Sequence, residues 1–224
     1  MINCYCPALK GLGKLAMSFC LLWTFSVTTA SAKISKHLVL SKQDIARLKQ
    51  IQKQLNKTKT VQARFIQLSS NGEYSEGQMF LERPGKLRLV YDNPNPLMVV
   101  ADGKYISYVD RDLDEATTVL LSMTKAQLLL RKSFSFFSKD IIVSNFDKSP
   151  GFIKVVLSRA DDSAEDNITL VFSDAPMELR KWVITDTQGI TTTVSLTESK
   201  INIPIPREKF IYVPMVKPEL ETNN

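Results

Sequence analysis

The stretch from Glu76 to Thr118 constrains the fold of this chain more than any other part of the sequence. It consists of five short apolar runs separated by turn sequences that contain Pro, Gly, Asp and Asn. Proline restricts φ, glycine permits positive φ, and Asp and Asn side chains close turns through hydrogen bonds to the backbone. Runs of about five to eight residues between such turns predict antiparallel strands joined by tight hairpins.

Strand patterns extend over most of the remaining chain. From Thr60 onward we predict eleven strands, some with alternating polar and apolar residues and some with continuous apolar runs. The predicted ranges are 60–70, 76–83, 86–91, 97–102, 104–110, 116–120, 140–147, 151–159, 166–173, 179–186 and 190–197. The prolines that follow Val194 predict an extended segment at the sheet edge.

Two segments have helical patterns. Ser41–Asp44 resembles a capping box and precedes apolar residues at helical spacing, which predicts an amphipathic helix over about 42–57. The apolar residues of this helix are Ile45, Leu48, Ile51 and Leu55. Met123–Lys132 predicts a short second helix with Thr124 as its N-cap. The aromatic cluster Ser133–Phe137 follows on a predicted mobile connection.

The predicted elements imply a mainly β fold with helices that cover it. A fully closed barrel would leave no room for the helices, whereas a half-open sheet needs a cover over its apolar face. We therefore expect an incomplete antiparallel β-barrel of about eleven strands with the helices on its concave face. Imperfect packing beneath such a cover would leave an apolar pocket suited to acyl chains.

The first 32 residues have the parts of a secretory signal peptide. Lys10 and Lys14 lie before an apolar core, Leu15–Val27, and Ala30–Ala32 supplies a small-residue cleavage site. The core is shorter than the roughly 20 residues that span a bilayer. The predicted organisation is a cleaved signal peptide over 1–32, one domain over 33–218 and a disordered tail over 219–224.

Several classes of site lack the residues they need. All three cysteines lie within the first 32 residues, and the only histidine is His37. The mature chain therefore cannot form a Ser-His-Asp triad, a Cys-His dyad or a His/Cys zinc site. Asp110–Asp114 begins like a calcium loop, but Glu115 and Leu121 stand where that loop needs a glycine and an acidic residue. We predict no catalytic residue, no metal and no cofactor.

The charge of the chain argues against one further class of partner. The whole sequence has a net charge of +6, which falls to +4 when the two lysines of the predicted signal peptide are removed. This excess is mild, and the sequence contains no dense basic run with interleaved aromatic residues. Nucleic-acid binding is therefore not predicted.

Arg83 is the charged residue that we single out. It follows the apolar run Met79–Leu81 and directly precedes Pro84. One interpretation is an arginine at the surface end of a strand. The other is an arginine at the mouth of an apolar cavity, where it would donate hydrogen bonds to backbone carbonyls of a covering helix. Such bonds contribute roughly 1–3 kcal/mol, which suits a lid that must open and close.

We assign the wall of the cavity to apolar residues of the first four strands. The assigned residues are Phe65, Met79, Leu81, Leu87, Leu89, Tyr91, Met98 and Val100. The residues assigned to the lid helices are Ile45, Leu48, Leu129 and Leu130. Because side chains alternate along a strand, an error of one residue would turn a predicted wall residue to the opposite face.

The order of several motifs resembles the periplasmic outer-membrane lipoprotein carrier (LolA) family over nearly all of 38–213. Phe65–Gln67 resembles the F-x-Q of that family, Glu82–Pro84 its basic-Arg-Pro motif, Asp102–Lys104 its D-G-K hairpin and Phe172–Thr191 its penultimate hairpin. The chain departs from the family at Glu82, where a basic residue is usual. It departs again at Leu87, where an aromatic residue is usual.

The resemblance implies an incomplete eleven-strand barrel with a helical lid that Arg83 holds closed. It also implies a monomeric periplasmic chaperone, not an enzyme, that accepts triacylated lipoproteins from an inner-membrane ABC exporter and hands them to an outer-membrane receptor. Three alternatives remain open, because a fold alone does not determine a ligand. They are a carrier of another lipid, a non-catalytic subunit of an envelope assembly and, least favoured, a hydrolase that uses acidic residues.

Overall fold

An antiparallel sheet of eleven strands dominates the structure, a computed structural model that describes residues 38–161, 167–185 and 189–212. The chain divides into the units Met1–Lys36 and His37–Asn224, and all described residues belong to the second unit. The predicted signal peptide over 1–32 and the predicted tail over 219–224 lie outside the described residues.

The strands follow the predicted ranges closely. They are β1 (Thr60–Ser69), β2 (Tyr74–Glu82), β3 (Lys86–Tyr91), β4 (Leu97–Asp102), β5 (Tyr105–Asp110), β6 (Glu115–Leu120), β7 (Ile141–Ser149), β8 (Phe152–Arg159), β9 (Asn167–Ser173), β10 (Leu179–Thr185) and β11 (Thr191–Ile201). Their order in the sheet is β6-β5-β4-β3-β2-β1-β11-β10-β9-β8-β7, so β6 and β7 form the two edges. The prediction of an open antiparallel sheet is confirmed.

The sheet curves around the helices. The helices are α1 (Lys42–Lys57) and α2 (Ala126–Leu130), and two 3₁₀ turns cover Leu121–Met123 and Arg207–Phe210. In a flat sheet β5 and β9 would lie about 34 Å apart, at about 4.8 Å per strand. Side chains of both strands nevertheless line one cavity together with α1 and α2. The concave face therefore holds the main core, with the two helices laid across it.

Helix α1 begins and ends as its sequence predicts. Ser41 Oγ accepts a hydrogen bond from the Asp44 N–H at 3.1 Å, and the Asp44 carboxylate accepts one from the Ser41 N–H at 3.1 Å. This reciprocal capping box satisfies two of the N–H groups that an α-helix leaves without partners. The apolar stripe, with Leu48, Ile51 and Leu55 fully buried, faces the sheet.

The second helical segment differs from its prediction. Helix α2 is only five residues long, and the Thr124 hydroxyl donates to the Leu121 carbonyl at 2.9 Å instead of capping α2. Thr124 therefore ends the preceding 3₁₀ turn. The connection that follows is packed, contrary to the prediction of a mobile segment. Phe134 and Phe136 are buried there, and the Asn56 side chain of α1 bonds both the N–H and the carbonyl of Phe134.

The segment after β11 covers the convex face of the sheet, which corrects the prediction of an extended edge segment. Ile205 and Phe210 pack against Phe80 of β2. The Arg88 guanidinium on β3 donates to the Lys209 carbonyl at 3.2 Å. Parts of this face are therefore buried although they lie outside the concave core. Within the described residues, no helix is long and apolar enough to cross a membrane.

Candidate functional site

An apolar cavity of about 370 Å³ lies between the concave face of the sheet and the two helices. Its volume falls within the range of ligand pockets, about 300–1,000 Å³. Strands from both halves of the sheet contribute to the wall, and Ile51 and Leu55 of α1 and Leu129 and Leu130 of α2 form the cover. A cavity of this kind offers apolar contact surface to a ligand.

Arg83 lies at the edge of this cavity and joins the two helices. Its Nε donates a hydrogen bond to the Leu129 carbonyl of α2 at 2.7 Å, and its Nη1 donates one to the Leu55 carbonyl of α1. Burial lowers the pKa of Arg83 to about 10, so the guanidinium remains charged at neutral pH. One partly buried cation thereby binds C-terminal carbonyls of both helices, where the helix dipole favours positive charge.

The turn after Arg83 holds α2 by a backbone contact. The Gly85 N–H donates to the Leu130 carbonyl at 2.8 Å. Gly85 has a φ of +79°, and a Cβ atom there would lie 2.6 Å from the Gly103 Cα. Both the positive φ and this close approach require glycine, which gives a physical reason for the Arg-Pro-Gly sequence.

Few polar groups face the cavity. The Tyr91 hydroxyl donates to the Gln67 side chain at 2.7 Å, and burial raises the pKa of Tyr91 to about 12. Ser199 also borders the cavity, and its buried hydroxyl has no hydrogen-bond partner among the described residues. The site therefore has the chemistry of a binding pocket for an apolar ligand. Among the described residues that line it, Arg83 is the one basic side chain and Glu178 the one acidic side chain.

The structure places seven of the predicted residues on the wall or cover of the cavity. They are Met79, Leu81, Leu87, Leu89, Tyr91, Leu129 and Leu130. Leu87, Leu89 and Tyr91 of β3 share one face because they alternate along the strand. Leu87 contributes an aliphatic side chain to the cavity wall.

Met98 and Val100 were assigned to the wrong face. Leu89 pairs with Val99, and residues opposite each other in adjacent strands point to the same side, so Val99 is the residue that faces the cavity. Met98 and Val100 form a separate convex cluster with Val109. The error arose because β4 is apolar on both faces.

Three other predicted residues do not line the cavity. Phe65 is fully buried and packs edge-to-face on Tyr91, with ring centroids 5.0 Å apart. Its ring also covers Gly77, where a Cβ atom would come within 2.9 Å of it. On α1, Leu48 is fully buried and Ile45 is half-buried, but only the later residues of the apolar stripe reach the cavity.

The second half of the sheet supplies a part of the wall that was not predicted from the sequence. Its members include Ile168, Phe172, Trp182, Ile184, Val194 and Leu196. The signal was present in the alternation of Ile168, Leu170 and Phe172 along β9, all of which are buried. Ile106 and Tyr108, which alternate along β5, also line the cavity and were not predicted.

The acidic hairpin turn after β5 is closed by hydrogen bonds from its backbone to the Asp110 side chain. The Asp110 carboxylate accepts hydrogen bonds from the Asp112 N–H at 2.9 Å and the Leu113 N–H at 3.1 Å. This arrangement is an Asx turn. In the described part of the chain, no group of three or more His, Cys, Asp or Glu residues could hold a metal ion.

A family model and two relatives indicate one family. The model of the family "Outer membrane lipoprotein carrier protein LolA" matches residues 56–213. The outer-membrane lipoprotein carrier protein of Pseudomonas fluorescens is 29% identical over 198 residues, covering 85% of this chain and 90% of that protein. Its counterpart in Pseudomonas syringae pv. tomato is 31% identical, covering 84% and 88%. A solved LolA superfamily protein from Nitrosomonas europaea is 9% identical, with a TM-score of 0.44 over 74% of this chain and 97% of that chain.

Proposed function

The chain belongs to the outer membrane lipoprotein carrier (LolA) family, and from this premise we propose that its cavity takes up the acyl chains of lipoproteins. The observation that supports the proposal most is the apolar cavity of about 370 Å³ between the sheet and the helices. Each CH₂ group transferred from water to such a wall contributes about 0.8 kcal/mol. Acyl chains that would aggregate in water are thereby shielded during transport.

The lid contacts provide a means of release without a nucleotide. Arg83 stabilises the closed arrangement through its bonds to Leu55 and Leu129. A ligand that needs the lid open must bind against this closing free energy, which reduces its apparent affinity. We therefore assign Arg83 the role of lid gate. A modest difference between the open and closed states would let the cargo both enter and leave.

In the proposed role, the protein carries lipoproteins across the periplasm from the inner membrane to the outer membrane. The monomeric protein receives triacylated lipoproteins from an ABC exporter in the inner membrane. It then passes them to a lipoprotein receptor in the outer membrane. No catalytic step and no cofactor are part of this role.

The proposal is tested by lipoprotein release from membranes. The full chain is expressed, and the exported protein is purified and added to spheroplasts that display a newly acylated lipoprotein. Release of that lipoprotein as a soluble one-to-one complex is the expected result. The Arg83→Leu variant is expected to form the complex but to transfer its cargo poorly to outer membranes.

Two outcomes contradict the proposal. If the protein binds a fluorescent fatty-acid probe but releases no lipoprotein, the cavity serves another lipid. If it neither releases lipoprotein nor binds the probe, the cavity is not a ligand site, and a structural role in an envelope assembly replaces the carrier role.

A further inference from the structure

The solvent side of α1 is a stripe of lysines, which we call the lysine stripe. It consists of Lys42, Lys49, Lys53 and Lys57, all exposed. At about 100° per residue the four side chains fall within an arc of about 80°, opposite the buried apolar face of the helix. The stripe is about 22 Å long at about 1.5 Å per residue.

The lysine stripe has no acidic partners within the described residues. Asp44, the only acid in α1, pairs with Lys148 at 2.7 Å. Asp174, on the loop between β9 and β10, pairs with Arg47. Both acids are therefore occupied by other cations, and none of the four lysines has an ion-pair partner within the described residues.

The segment beside α1 enlarges this basic surface. The Phe136 N–H donates to the Gln52 side chain at 3.2 Å, so the segment after α2 runs along the helix. That segment contributes two more exposed lysines, Lys132 and Lys139, while its Asp140 pairs with Arg131 at 2.6 Å. It also contributes an exposed aromatic ring, since Phe137 is 46% exposed.

We propose that the lysine stripe docks the protein on a bilayer surface that contains anionic phospholipids, with α1 parallel to that surface. Anionic bilayers attract basic segments by about 1 kcal/mol for each Lys or Arg near the surface. Phe137 and the 90% exposed Val39, just before α1, supply apolar side chains that can enter the interface.

The composition of the stripe favours a lipid surface over an acidic protein. Arginine pairs with carboxylates through two parallel hydrogen bonds, whereas the lysine ammonium is a compact, strongly hydrated point charge. The stripe contains only lysines, and the one arginine of α1, Arg47, is bound within the molecule. A diffuse layer of anionic headgroups matches such a row of point charges without fixed geometry.

Docking of this kind would bring the helix that covers the cavity next to a membrane. The proposal does not depend on the carrier role, because it concerns the outer side of α1 and not the cavity beneath it. The lysine stripe would raise the local concentration of the protein at a bilayer before the protein binds a lipoprotein.

The test is co-sedimentation of the exported protein with lipid vesicles that carry no lipoprotein. Vesicles of phosphatidylcholine alone are compared with vesicles of phosphatidylcholine mixed with phosphatidylglycerol. The variant Lys42→Gln/Lys49→Gln/Lys53→Gln removes three charges from the stripe and retains good helix formers. The matched control Lys104→Gln/Lys154→Gln/Lys200→Gln removes three exposed lysines that lie away from α1, one in the turn between β4 and β5 and two on strands β8 and β11.

We expect binding to the phosphatidylglycerol vesicles only, and weaker binding as salt is raised. At about 1 kcal/mol per lysine, the stripe variant should lose roughly a hundredfold in partition coefficient, and the control should lose much less. A charge-keeping variant with arginine at the same three positions should bind like the original protein. This variant separates loss of charge from any loss of folding.

Equal loss in the stripe variant and the control would overturn the proposal, because net charge alone would then explain binding. Failure of the original protein to bind phosphatidylglycerol vesicles would also overturn it. The original protein could fail to bind the vesicles while the stripe variant, but not the control variant, releases less lipoprotein from spheroplasts. The lysine stripe would then bind an acidic surface on a protein partner instead of a bilayer.

Discussion

At the residue scale, the side chain of Arg83 links the sheet to both covering helices. Partial burial of the guanidinium lowers its pKa to about 10, and its hydrogen bonds to two helix carbonyls replace part of the hydration that it loses. Hydrogen bonds from a charged donor contribute about 1.5–3 kcal/mol each. Arg83 can therefore set the balance between a closed and an open lid without making either state inaccessible.

Replacement of Arg83 by leucine should increase affinity for an acyl ligand. The substitution removes both side-chain bonds from Arg83 to the helices, so a ligand no longer has to overcome them to open the lid. We expect a dissociation constant for a fluorescent fatty-acid probe that is about 10 to 100 times lower, measured by fluorescence titration.

Arg88→Leu is the matched control for this substitution. Arg88 also donates to backbone carbonyls, those of Lys209 and Ile211, but on the convex face of the sheet. The Arg88→Leu substitution should leave the affinity for the fatty-acid probe nearly unchanged. A similar rise in affinity for both variants, or weaker probe binding by Arg83→Leu, would count against the lid role.

Strand β4 shows why residue positions were only partly predictable. Met98, Val99 and Val100 are all apolar and all buried, so no alternation marks which of them faces the cavity. The convex cluster of Met98 and Val100 is packed against Tyr212, which lies more than a hundred residues further along the chain. Nothing near β4 in the sequence signals that cover.

At the scale of elements, α1 is tied to the sheet near both ends. Asp44 and Arg47 in its first half pair with Lys148 and Asp174, and Leu55 near its C-terminal end accepts the bond from Arg83. The two sets of contacts differ in kind, because the first are ion pairs at the surface and the second is a partly buried hydrogen bond. Surface pairs contribute little each and weaken in salt, so α1 would separate more easily from β7 and the loop after β9 than from Arg83.

The Asp44 carboxylate should make the free energy of unfolding depend on pH. Hydrogen bonds from Lys148 and Ser41 lower the pKa of Asp44 from 3.8 to about 2. A depressed pKa in the folded state stabilises the protein above the unfolded value, and this contribution is lost as pH falls from about 4 to about 2. Asp44→Asn should therefore lower the free energy of unfolding at neutral pH, and the difference should vanish near pH 2.

Urea unfolding at a series of pH values measures this difference. Asp112→Asn is a suitable control, because the Asp112 carboxylate lies in an exposed turn and makes no ion pair among the described residues. A difference between Asp44→Asn and the original protein that stayed constant down to pH 2 would exclude the proposed linkage.

Elements with strong local signals were predictable from the sequence. All eleven strands and α1 were predicted within a few residues, because Pro, Gly and Asx turns delimit the strands and a capping box begins the helix. The C-terminal segment over 202–212 has no such signal. Its position depends on contacts of Ile205 and Phe210 with β2, which only the folded sheet creates.

At the scale of the whole molecule, the cavity belongs to no single element. Its wall combines β5 with β9, which stand seven positions apart in the sheet, under a cover from two helices. Alternation predicted part of the wall in β2 and β3. The wall residues of β9 to β11 lie opposite those of β2 and β3 because β1 pairs with β11 and the sheet curves. Neither feature can be read from the sequence.

A larger side chain in the wall should reduce ligand binding while the fold persists. Leu89 lies in the wall, so Leu89→Trp would place an indole in the space that acyl carbons are proposed to occupy. Displacement of two CH₂ groups, at about 0.8 kcal/mol each, predicts roughly a fifteenfold weaker affinity for the fatty-acid probe. Overpacking should lower the free energy of unfolding by only about 1–3 kcal/mol.

The same substitution at Leu68, which is largely exposed on β1, serves as the control. Leu68→Trp should keep the probe affinity of the original protein. Unchanged affinity in Leu89→Trp, measured by titration at a concentration where unfolding data show the variant to be folded, would place the ligand elsewhere.

Photo-cross-linking from the adjacent residues Val99 and Val100 tests the central claim most directly. Both are buried valines of β4, but Val99 lines the cavity and Val100 faces the opposite side of the sheet. A diazirine amino acid is placed at one position or the other, and the complex with a released lipoprotein is irradiated. Cross-links to the acyl chains from position 99 but not from position 100 are the predicted result. Equal cross-linking from both positions, or cross-linking from position 100 alone, would show that the acyl chains do not occupy the cavity.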